Sequence, residues 1–268
     1  MPEGHTIHRL ARDHQIPFAG QTVVSASPQG RFAEEARVLN GQRLERVFAH
    51  GKHLFYEFQT RESALVYCHV HLGLFGRFKE LKAPFPDPRA TVRWRLTTRT
   101  SGFDLTGPNY CELMDERAVR QLRARLGPDP LASTDQRVDF MTNMAKTKRA
   151  IGAVLLDQAL VSGVGNIYRC ELLWAHGLSP TQRACDIGST RTQALWATMQ
   201  RWLRIGVETN KIITTLETDQ APTQALKRSE QVNIYKKECC PKCSSPIQVA
   251  SIAQRKLYFC PECQRAPS

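Results

Sequence analysis

The first residues of the chain combine types that can carry out amine chemistry. Pro2 and Glu3 directly follow Met1, so removal of the methionine exposes a secondary amine beside a carboxylate, whereas a retained Met1 blocks it. Such an amine can act as a nucleophile. An α-amino group has a pKa of about 8, against about 10.4 for lysine, so more of it is unprotonated at neutral pH. A structural reading is also open, because proline suits the first position of a helix and an acidic residue suits its first turn.

The element that would hold this amine is a helix predicted to begin at Pro2. Ile7, Leu10 and Ala11 are spaced i, i+3 and i+4, which places them on one helical face. We expect this face to pack against a core. The positive end of the helix dipole would then favour the neutral form of the amine.

A second cluster of reactive residue types lies near the C-terminus. Cys240-Pro-Lys-Cys243 and Cys260-Pro-Glu-Cys263 are two C-x2-C pairs separated by sixteen residues, a spacing typical of a four-cysteine zinc site. The sequence predicts one structural Zn²⁺ bound by these four cysteines, with the intervening residues forming a β-hairpin. Cys239 is the surplus cysteine, because only Cys240 repeats the Cys-Pro-x-Cys pattern of the second pair. Disulfides are the alternative.

A glycine-rich corner interrupts the helical pattern near the middle of the chain. Gly163 and Gly165 end one apolar run, and Asn166 begins the next. Unpaired N–H groups at a helix start, beside glycines that allow close approach, suit a phosphate. A helical corner with Asn166 as its N-cap is equally compatible with the local sequence.

Overall charge points to a polyanionic partner. The 268 residues include 37 lysines and arginines against 25 aspartates and glutamates, a net charge of +12, which favours nucleic acid. A merely basic enzyme is the alternative. No segment approaches the ~20 apolar residues of a membrane span, and no signal-peptide pattern is present, so we expect a cytoplasmic protein without membrane contact. The remaining cysteines are expected to be reduced and buried: Cys68, Cys111, Cys170 and Cys185.

Patterning along the chain predicts four segments. Short strand-like runs from about residue 20 to 110 are typical of an antiparallel sandwich or barrel. They include RLERVFAH (43–50) and HLFYEFQ (53–59), and helical patterns follow at 150–161, 166–177 and 191–208. We divide the chain into a β-rich domain (1–125), a linker (126–140), a helical domain (141–230) and a zinc finger (231–268). Residues 210–235 contain few apolar anchors and are expected to be mobile.

Four stretches together resemble the formamidopyrimidine-DNA glycosylase/endonuclease VIII family. They are PEG at the N-terminus, HGKHLF (50–55), LLDQALVSGVGNIYRCELLW (155–174) and IAQRKLYFCPEC (252–263), in the order of the family. The resemblance implies an α+β fold: an N-terminal antiparallel β-sandwich with flanking helices, a C-terminal helix-two-turn-helix domain and a four-cysteine zinc-finger hairpin. It also implies a monomer that binds damaged DNA in a cleft between its domains.

The resemblance implies roles for individual residues. Pro2 would attack C1′ of the damaged nucleotide and form a Schiff base, with Glu3 as general acid/base. Lys52 would contact a phosphate near the lesion and assist catalysis. Asn166 would bind phosphate in the helix-two-turn-helix. Arg255 would bind the flanking phosphates and promote δ-elimination. Taken alone, Lys52 and Arg255 read as ordinary surface cations.

Further DNA contacts are implied by the same alignment. Leu74 and Phe75 match the loop that fills the gap left by a flipped-out base, although strand packing is an alternative for both. Gly165 is expected to approach the DNA beside Asn166.

Two departures bear on specificity. The second insertion loop of the formamidopyrimidine branch has no match in residues 101–115, which favours the endonuclease VIII branch. Position 6, often acidic in the family, is Thr6, preceded by His5.

The expected function is base excision repair: a DNA glycosylase and abasic-site lyase, acting near the nucleoid, that removes oxidised pyrimidines and cuts the strand by β,δ-elimination. A catalytically inactive lesion-binding protein on the same scaffold is the first alternative. A zinc-ribbon nucleic-acid adaptor with an unrelated N-terminal domain is the second.

Overall fold

The computed structural model describes residues 2–60, 65–216, 218, 220–222, 224 and 226–265. The chain divides into two compact units. The first contains Pro2 and Ile7–Arg125, and the second contains Glu3–Thr6 and the residues from Leu126 onwards. A short N-terminal peptide therefore belongs to the unit built by the C-terminal half of the chain, which the predicted domain division did not anticipate.

The first unit contains two four-stranded antiparallel sheets. One has the strand order β1-β6-β7-β5 and the other β2-β3-β4-β8. The strands are β1 (Val24–Ala26), β2 (Arg43–His50), β3 (His53–Gln59), β4 (Leu65–His71), β5 (Arg77–Lys82), β6 (Val92–Thr97), β7 (Ser101–Thr106) and β8 (Tyr110–Asp115). Its helices are α1 (Gly4–Phe18, whose first turn belongs to the second unit), α2 (Ala33–Leu39) and α3 (Glu116–Ala124).

Both sheets contribute to one hydrophobic core, which makes this unit a sandwich. Tyr56 and Val70 from one sheet, and Trp94 and Phe103 from the other, are fully buried in the same cluster. Ile7 of α1 also lies there, fully buried, which confirms the predicted apolar face of that helix. Burial of each such side chain contributes roughly 1.5–3 kcal/mol to stability.

The predicted start of the first helix is wrong. Helix α1 begins at Gly4, so Pro2 and Glu3 precede it, and Pro2 does not occupy the first helical position. The predicted runs for β2 and β3 match the observed strands. Only residues 107–109 connect β7 to β8, so no insertion loop is present between them.

The second unit consists of helices and one hairpin. The helices are α4 (Arg137–Lys146), α5 (Ile151–Val154), α6 (Asn166–Ala175) and α7 (Ser189–Thr209), and the hairpin strands are β9 (Gln248–Ile252) and β10 (Arg255–Phe259). Its core includes the fully buried Ile151, Leu172, Leu195 and Leu257. The hairpin thus packs into the core of the helices.

Two local predictions in this unit need correction. The helix predicted over 150–161 is only one turn long: it ends at Val154 with Leu155 as its C-cap, and the chain reaches a positive φ of 87° at Gly163. Helix α4 begins at Arg137, within the predicted linker.

The segment after α7 is anchored at both ends. Ile213 and Ile234 are buried, and the fully buried Glu171 accepts hydrogen bonds from Thr214 Oγ1 (2.8 Å) and the backbone N–H groups of Ile234 (2.9 Å) and Tyr235 (2.8 Å). The few apolar residues of the segment thus fix its two ends. Positions 217, 219, 223 and 225, on which the expectation of mobility also fell, lie outside the described residues.

Two further expectations concern thiols and membranes. All nine cysteines are free, with Cys68 and Cys170 buried, and Cys111 and Cys185 partly buried. No helix within the described ranges is long and apolar enough to cross a membrane.

Candidate active site

Glu3 is held at the N-terminus of helix α6. Its side chain is fully buried. Oε2 accepts a hydrogen bond from the N–H of Gly165 (2.8 Å), and Oε1 accepts one from the N–H of Ile167 (2.9 Å). Two backbone donors at the positive end of the helix dipole thus bind the carboxyl group. The residue that follows Pro2 in the chain is thereby fixed in position.

Glycines allow this contact. A Cβ atom on Gly165 would lie 2.3 Å from Cδ of Glu3. A Cβ atom on Gly4 would lie 2.8 Å from the Cα of Gly163. The N–H of Gly4 donates a hydrogen bond to the Gly163 carbonyl at 2.7 Å. Gly163 and Gly165 therefore allow close approach, as predicted, but what approaches is the N-terminal peptide of the same chain.

The N-cap reading of the glycine-rich corner is wrong, whereas phosphate binding there stays a prediction. Gly165, not Asn166, is the N-cap residue of α6. The N–H groups of Gly165 and Ile167 bind the Glu3 carboxylate rather than presenting an open phosphate site.

His5 continues the docked peptide into a tight space beside α7. It is buried, its ring meets Tyr168 edge-on at 5.5 Å between centroids, and its Nδ1 has no hydrogen-bond partner. Burial lowers the pKa of His5 to about 3, so the ring is neutral at physiological pH. A Cβ on Gly206 would lie 2.6 Å from Tyr168 Oη and 2.7 Å from His5 Cγ. Position 5 thus carries a neutral, packed ring.

Lys52 occupies a two-residue turn between β2 and β3. His50 pairs with His53 across the turn, and Gly51 has a φ of 57°, as hairpins with glycine at the first central position require. The Lys52 side chain is half-buried.

A histidine cluster that sequence analysis missed surrounds this turn. His69 Nδ1 lies 3.0 Å from Glu112 Oε1, and His69 Nε2 lies 2.9 Å from His53 Nδ1. Burial first, then the neighbouring histidines and Lys52, lower the pKa of His53 to about 3. The pKa of His71 is lowered by the same causes. The histidines of HGKH (50–53) and HVH (69–71) are the sequence pattern that could have predicted this cluster.

Leu74 and Phe75 project from the turn between β4 and β5. Their side chains are 51% and 83% exposed, so the alternative of strand packing is wrong. Gly73 has a φ of 62°, and a Cβ on Gly76 would lie 2.4 Å from the Leu72 carbonyl oxygen. These two glycines make the turn tight enough to present both apolar side chains outward.

Arg255 directly follows the turn of the zinc hairpin, which comprises residues 248–259. Ala253 and Gln254 have φ of 53° and 57°, the geometry of a type I′ turn, and Arg255 is exposed. Asn166 is buried against this hairpin. Its Nδ2 donates to the Lys256 carbonyl (2.9 Å), and its Oδ1 accepts from Arg169 Nη2 (2.5 Å). Phosphate binding by Asn166 stays a prediction.

The four predicted zinc ligands converge. Cys240, Cys243, Cys260 and Cys263 place their sulfurs within 4.8 Å of one another, and no other such group of ligands occurs among the described residues. Individual Sγ–Sγ distances are 3.8 Å for Cys240–Cys263 and 3.4 Å for Cys243–Cys260. Tetrahedral zinc with bonds of about 2.3 Å requires about 3.8 Å. The exposed Cys239 lies outside the group, so the zinc prediction is confirmed.

The pKa values of the thiols explain why these four cysteines suit a cation. Hydrogen bonds from Ser245 lower the pKa of Cys243 to about 6, whereas desolvation and the neighbouring thiols raise the pKa of Cys263 to about 12. Four sulfurs this close do not all ionise without a cation. A bound Zn²⁺ keeps them as thiolates and closes the site, which makes its role structural.

Comparison with family models covers most of the chain. The formamidopyrimidine-DNA glycosylase N-terminal domain matches residues 1–122, the formamidopyrimidine-DNA glycosylase H2TH domain matches 126–218, and the zinc finger found in FPG and IleRS matches 237–266.

Individual relatives agree over the full length. Endonuclease 8 1 of Mycobacterium tuberculosis is 41% identical over 98% of this chain and 100% of the relative. Formamidopyrimidine-DNA glycosylase of Vibrio cholerae is 29% identical over 98% of both. Lactococcus lactis Fpg (MutM), solved in complex with DNA containing N7-benzyl-Fapy-dG, has the same fold, with a TM-score of 0.79 at 21% identity over 99% of this chain and 100% of that chain. With its buried Glu3, its glycine-rich corner and its four-cysteine finger, the chain belongs to the formamidopyrimidine-DNA glycosylase/endonuclease VIII family of DNA-repair glycosylases.

Proposed function

We propose that this protein removes oxidised pyrimidines from DNA and then cuts the abasic strand by β,δ-elimination, using the amine of Pro2. The observation that carries the proposal is the fixed carboxylate of Glu3, which accepts two backbone N–H bonds immediately after the proline. The 41% identity to Endonuclease 8 1 supports the endonuclease VIII branch, and the pyrimidine preference is proposed from the sequence resemblance to that branch.

The chemistry begins with attack of the Pro2 nitrogen on C1′. The C1′–N bond forms as the glycosidic bond breaks, and the base leaves with the bonding pair and takes up a proton. Ring opening at O4′ then gives the iminium Schiff base. In this proposal Glu3 first accepts the amine proton and then delivers it to O4′. Loss of the C2′ proton expels the 3′ phosphate, and loss of the C4′ proton expels the 5′ phosphate.

Two cations serve the phosphates in this proposal. Lys52 on its hairpin turn binds a phosphate near the lesion, and the exposed Arg255 binds the flanking phosphates and assists δ-elimination. Gly165 and Asn166 contribute contacts at the start of α6. Alanine in place of either cation should reduce the log–log salt slope of DNA binding by roughly 0.7–0.9, because one phosphate is no longer neutralised.

Leu74 and Phe75 fill the space that a flipped-out base vacates. Their exposure in a tight turn supports this role. Alanine at both positions should impair excision from duplex more than from single strands, because only the duplex incurs the unstacking cost of a few kcal/mol. Equal losses on both substrates would contradict the assignment.

Borohydride trapping on lesion-bearing DNA tests the central proposal. Processed enzyme should form a covalent adduct that maps to residue 2, and protein with an uncleavable N-terminal extension should form none while still binding DNA. The matched control is Lys52→Ala, which should keep the amine and still yield an adduct.

Other outcomes decide between the alternatives. An adduct that maps to Lys52 would overturn the role of Pro2. No adduct from processed enzyme on any lesion would favour an inactive lesion-binding protein.

A further inference from the structure

Helix α6 carries a second charged residue besides Glu171 that is fully buried. Arg169 has no exposed surface, and no ion pair of Arg169 is found in the described part of the chain. A buried guanidinium is costly unless its donors are satisfied. Burial accordingly lowers the pKa of Arg169. Such a residue needs a structural or functional reason.

The guanidinium donates to neutral oxygens, and most of them belong to the turn of the zinc hairpin. Nη1 donates to the carbonyls of Gly152 (2.9 Å) and Ile252 (3.1 Å). Nη2 donates to the carbonyls of Arg255 and Lys256, both at 3.4 Å. Ile252 and Arg255 are the two residues that close the hairpin turn. One side chain therefore holds both sides of the turn to α5 and α6.

The same nitrogen fixes Asn166. Nη2 of Arg169 donates to Oδ1 of Asn166 at 2.5 Å, and the opposite end of the amide, Nδ2, donates to the Lys256 carbonyl. The Arg169 guanidinium thus holds both the Asn166 side chain and the backbone of Arg255. An arginine fork can reach several acceptors in fixed directions, whereas a lysine offers a single point of charge.

We propose that Arg169 is a positioning residue: it locks the zinc-hairpin turn against α6 and so fixes where Arg255 and Asn166 present themselves to the DNA backbone. This inference rests on the proposed function for its catalytic consequence. Its structural part, the anchoring of the turn, stands independently. A misplacement of about 1 Å can cost up to ~100-fold in rate.

The test compares Arg169→Met and Arg169→Lys with Leu195→Ala. Leu195 is buried in the same core but belongs to α7, so its truncation destabilises the unit without removing a hydrogen bond to the hairpin turn. Two quantities are measured on zinc-loaded protein: amide hydrogen exchange of residues 250–258, and the share of δ- over β-elimination products from a preformed abasic site.

Arg169→Met should retain zinc, because the four cysteines are intact. It should speed exchange in the hairpin by about tenfold and lower the δ-product share by a similar factor. Arg169→Lys should fall between this variant and the wild type. Leu195→Ala should leave the δ-product share unchanged, and any faster hairpin exchange that it causes should be smaller than in Arg169→Met.

Four outcomes would overturn the proposal or separate it from the proposed function. If amide exchange in the hairpin is no faster in Arg169→Met than in Leu195→Ala, then Arg169 does not anchor the turn. Loss of zinc in Arg169→Met would assign the residue to folding of the metal site. If Arg169→Met speeds hairpin exchange but leaves the share of δ-elimination products unchanged, then anchoring of the turn does not affect catalysis. A wild-type protein that cuts no strand would refute the proposed function, while the exchange data still test the anchor.

Discussion

Replacing Gly165 by alanine tests whether Glu3 is held as the structure shows. The backbone of Gly165 has φ −120° and ψ −163°, which alanine adopts without strain. The added Cβ would lie 2.3 Å from Cδ and 2.7 Å from Oε1 of Glu3. The carboxylate must therefore move away, and both of its N–H bonds break.

The magnitude follows from those two bonds. A hydrogen bond to a charged group contributes about 1.5 kcal/mol or more, so the loss is about 3 kcal/mol. Alanine recovers about 0.7 kcal/mol by restricting the unfolded chain. Gly165→Ala should thus lower the free energy of unfolding by about 2 kcal/mol. In a Glu3→Ala background the clash is absent, and the same substitution should be neutral or slightly stabilising.

A double-mutant cycle by urea denaturation measures this difference. The coupling energy between positions 3 and 165 should be about 3 kcal/mol, with zinc content checked in every variant. Base excision by Gly165→Ala should fall by up to ~100-fold, because the displaced carboxylate no longer serves Pro2. A coupling energy below about 0.5 kcal/mol, the range of independent sites, would refute the reasoning.

Three other predictions concern the metal, the pH dependence and α7. Cys240→Ser should lose zinc and Cys239→Ser should retain it, as metal analysis of purified protein will show, since only Cys240 joins the cluster. Burial lowers the pKa of His14 from 6.5 to about 4, so between these two values the unfolded chain binds a proton that the folded chain does not. Stability should fall with decreasing pH over this window, by about 1.4 kcal/mol per unit for this residue, and His14→Phe should remove that increment; an unchanged slope contradicts the assignment. Gly206→Ala should collide with Tyr168 Oη and with Cγ and Cβ of His5 and lower the melting temperature; an unchanged melting temperature would contradict this close packing.

Local sequence patterns predicted the structure correctly where the contacts that stabilise it join residues close together in the chain. Strands β2 and β3 follow from strand-like runs of eight and seven residues, and the two strands pair across a two-residue turn. The choice of Cys240 over Cys239 follows from the repeated Cys-Pro-x-Cys pattern, because each knuckle is formed within four residues.

Tertiary contacts decided what local patterns left open. The helix predicted over residues 150–161 satisfies a periodicity, but the chain must turn after Val154 to bring Gly163 against Gly4. Leu74 and Phe75 have the composition of core residues, and only the glycine turn shows that they are exposed.

The sequence by itself therefore determined the family, strands β2 and β3 and the zinc ligands, since each is recognised from short motifs. It did not determine the partner of Glu3, which lies 162 residues away at Gly165, or those of Arg169, 83 to 87 residues away in the zinc hairpin. Periodicity assigns a charged residue to a solvent-facing side of its helix. Only the folded chain brings backbone donors and acceptors close enough to satisfy such a charge in the interior.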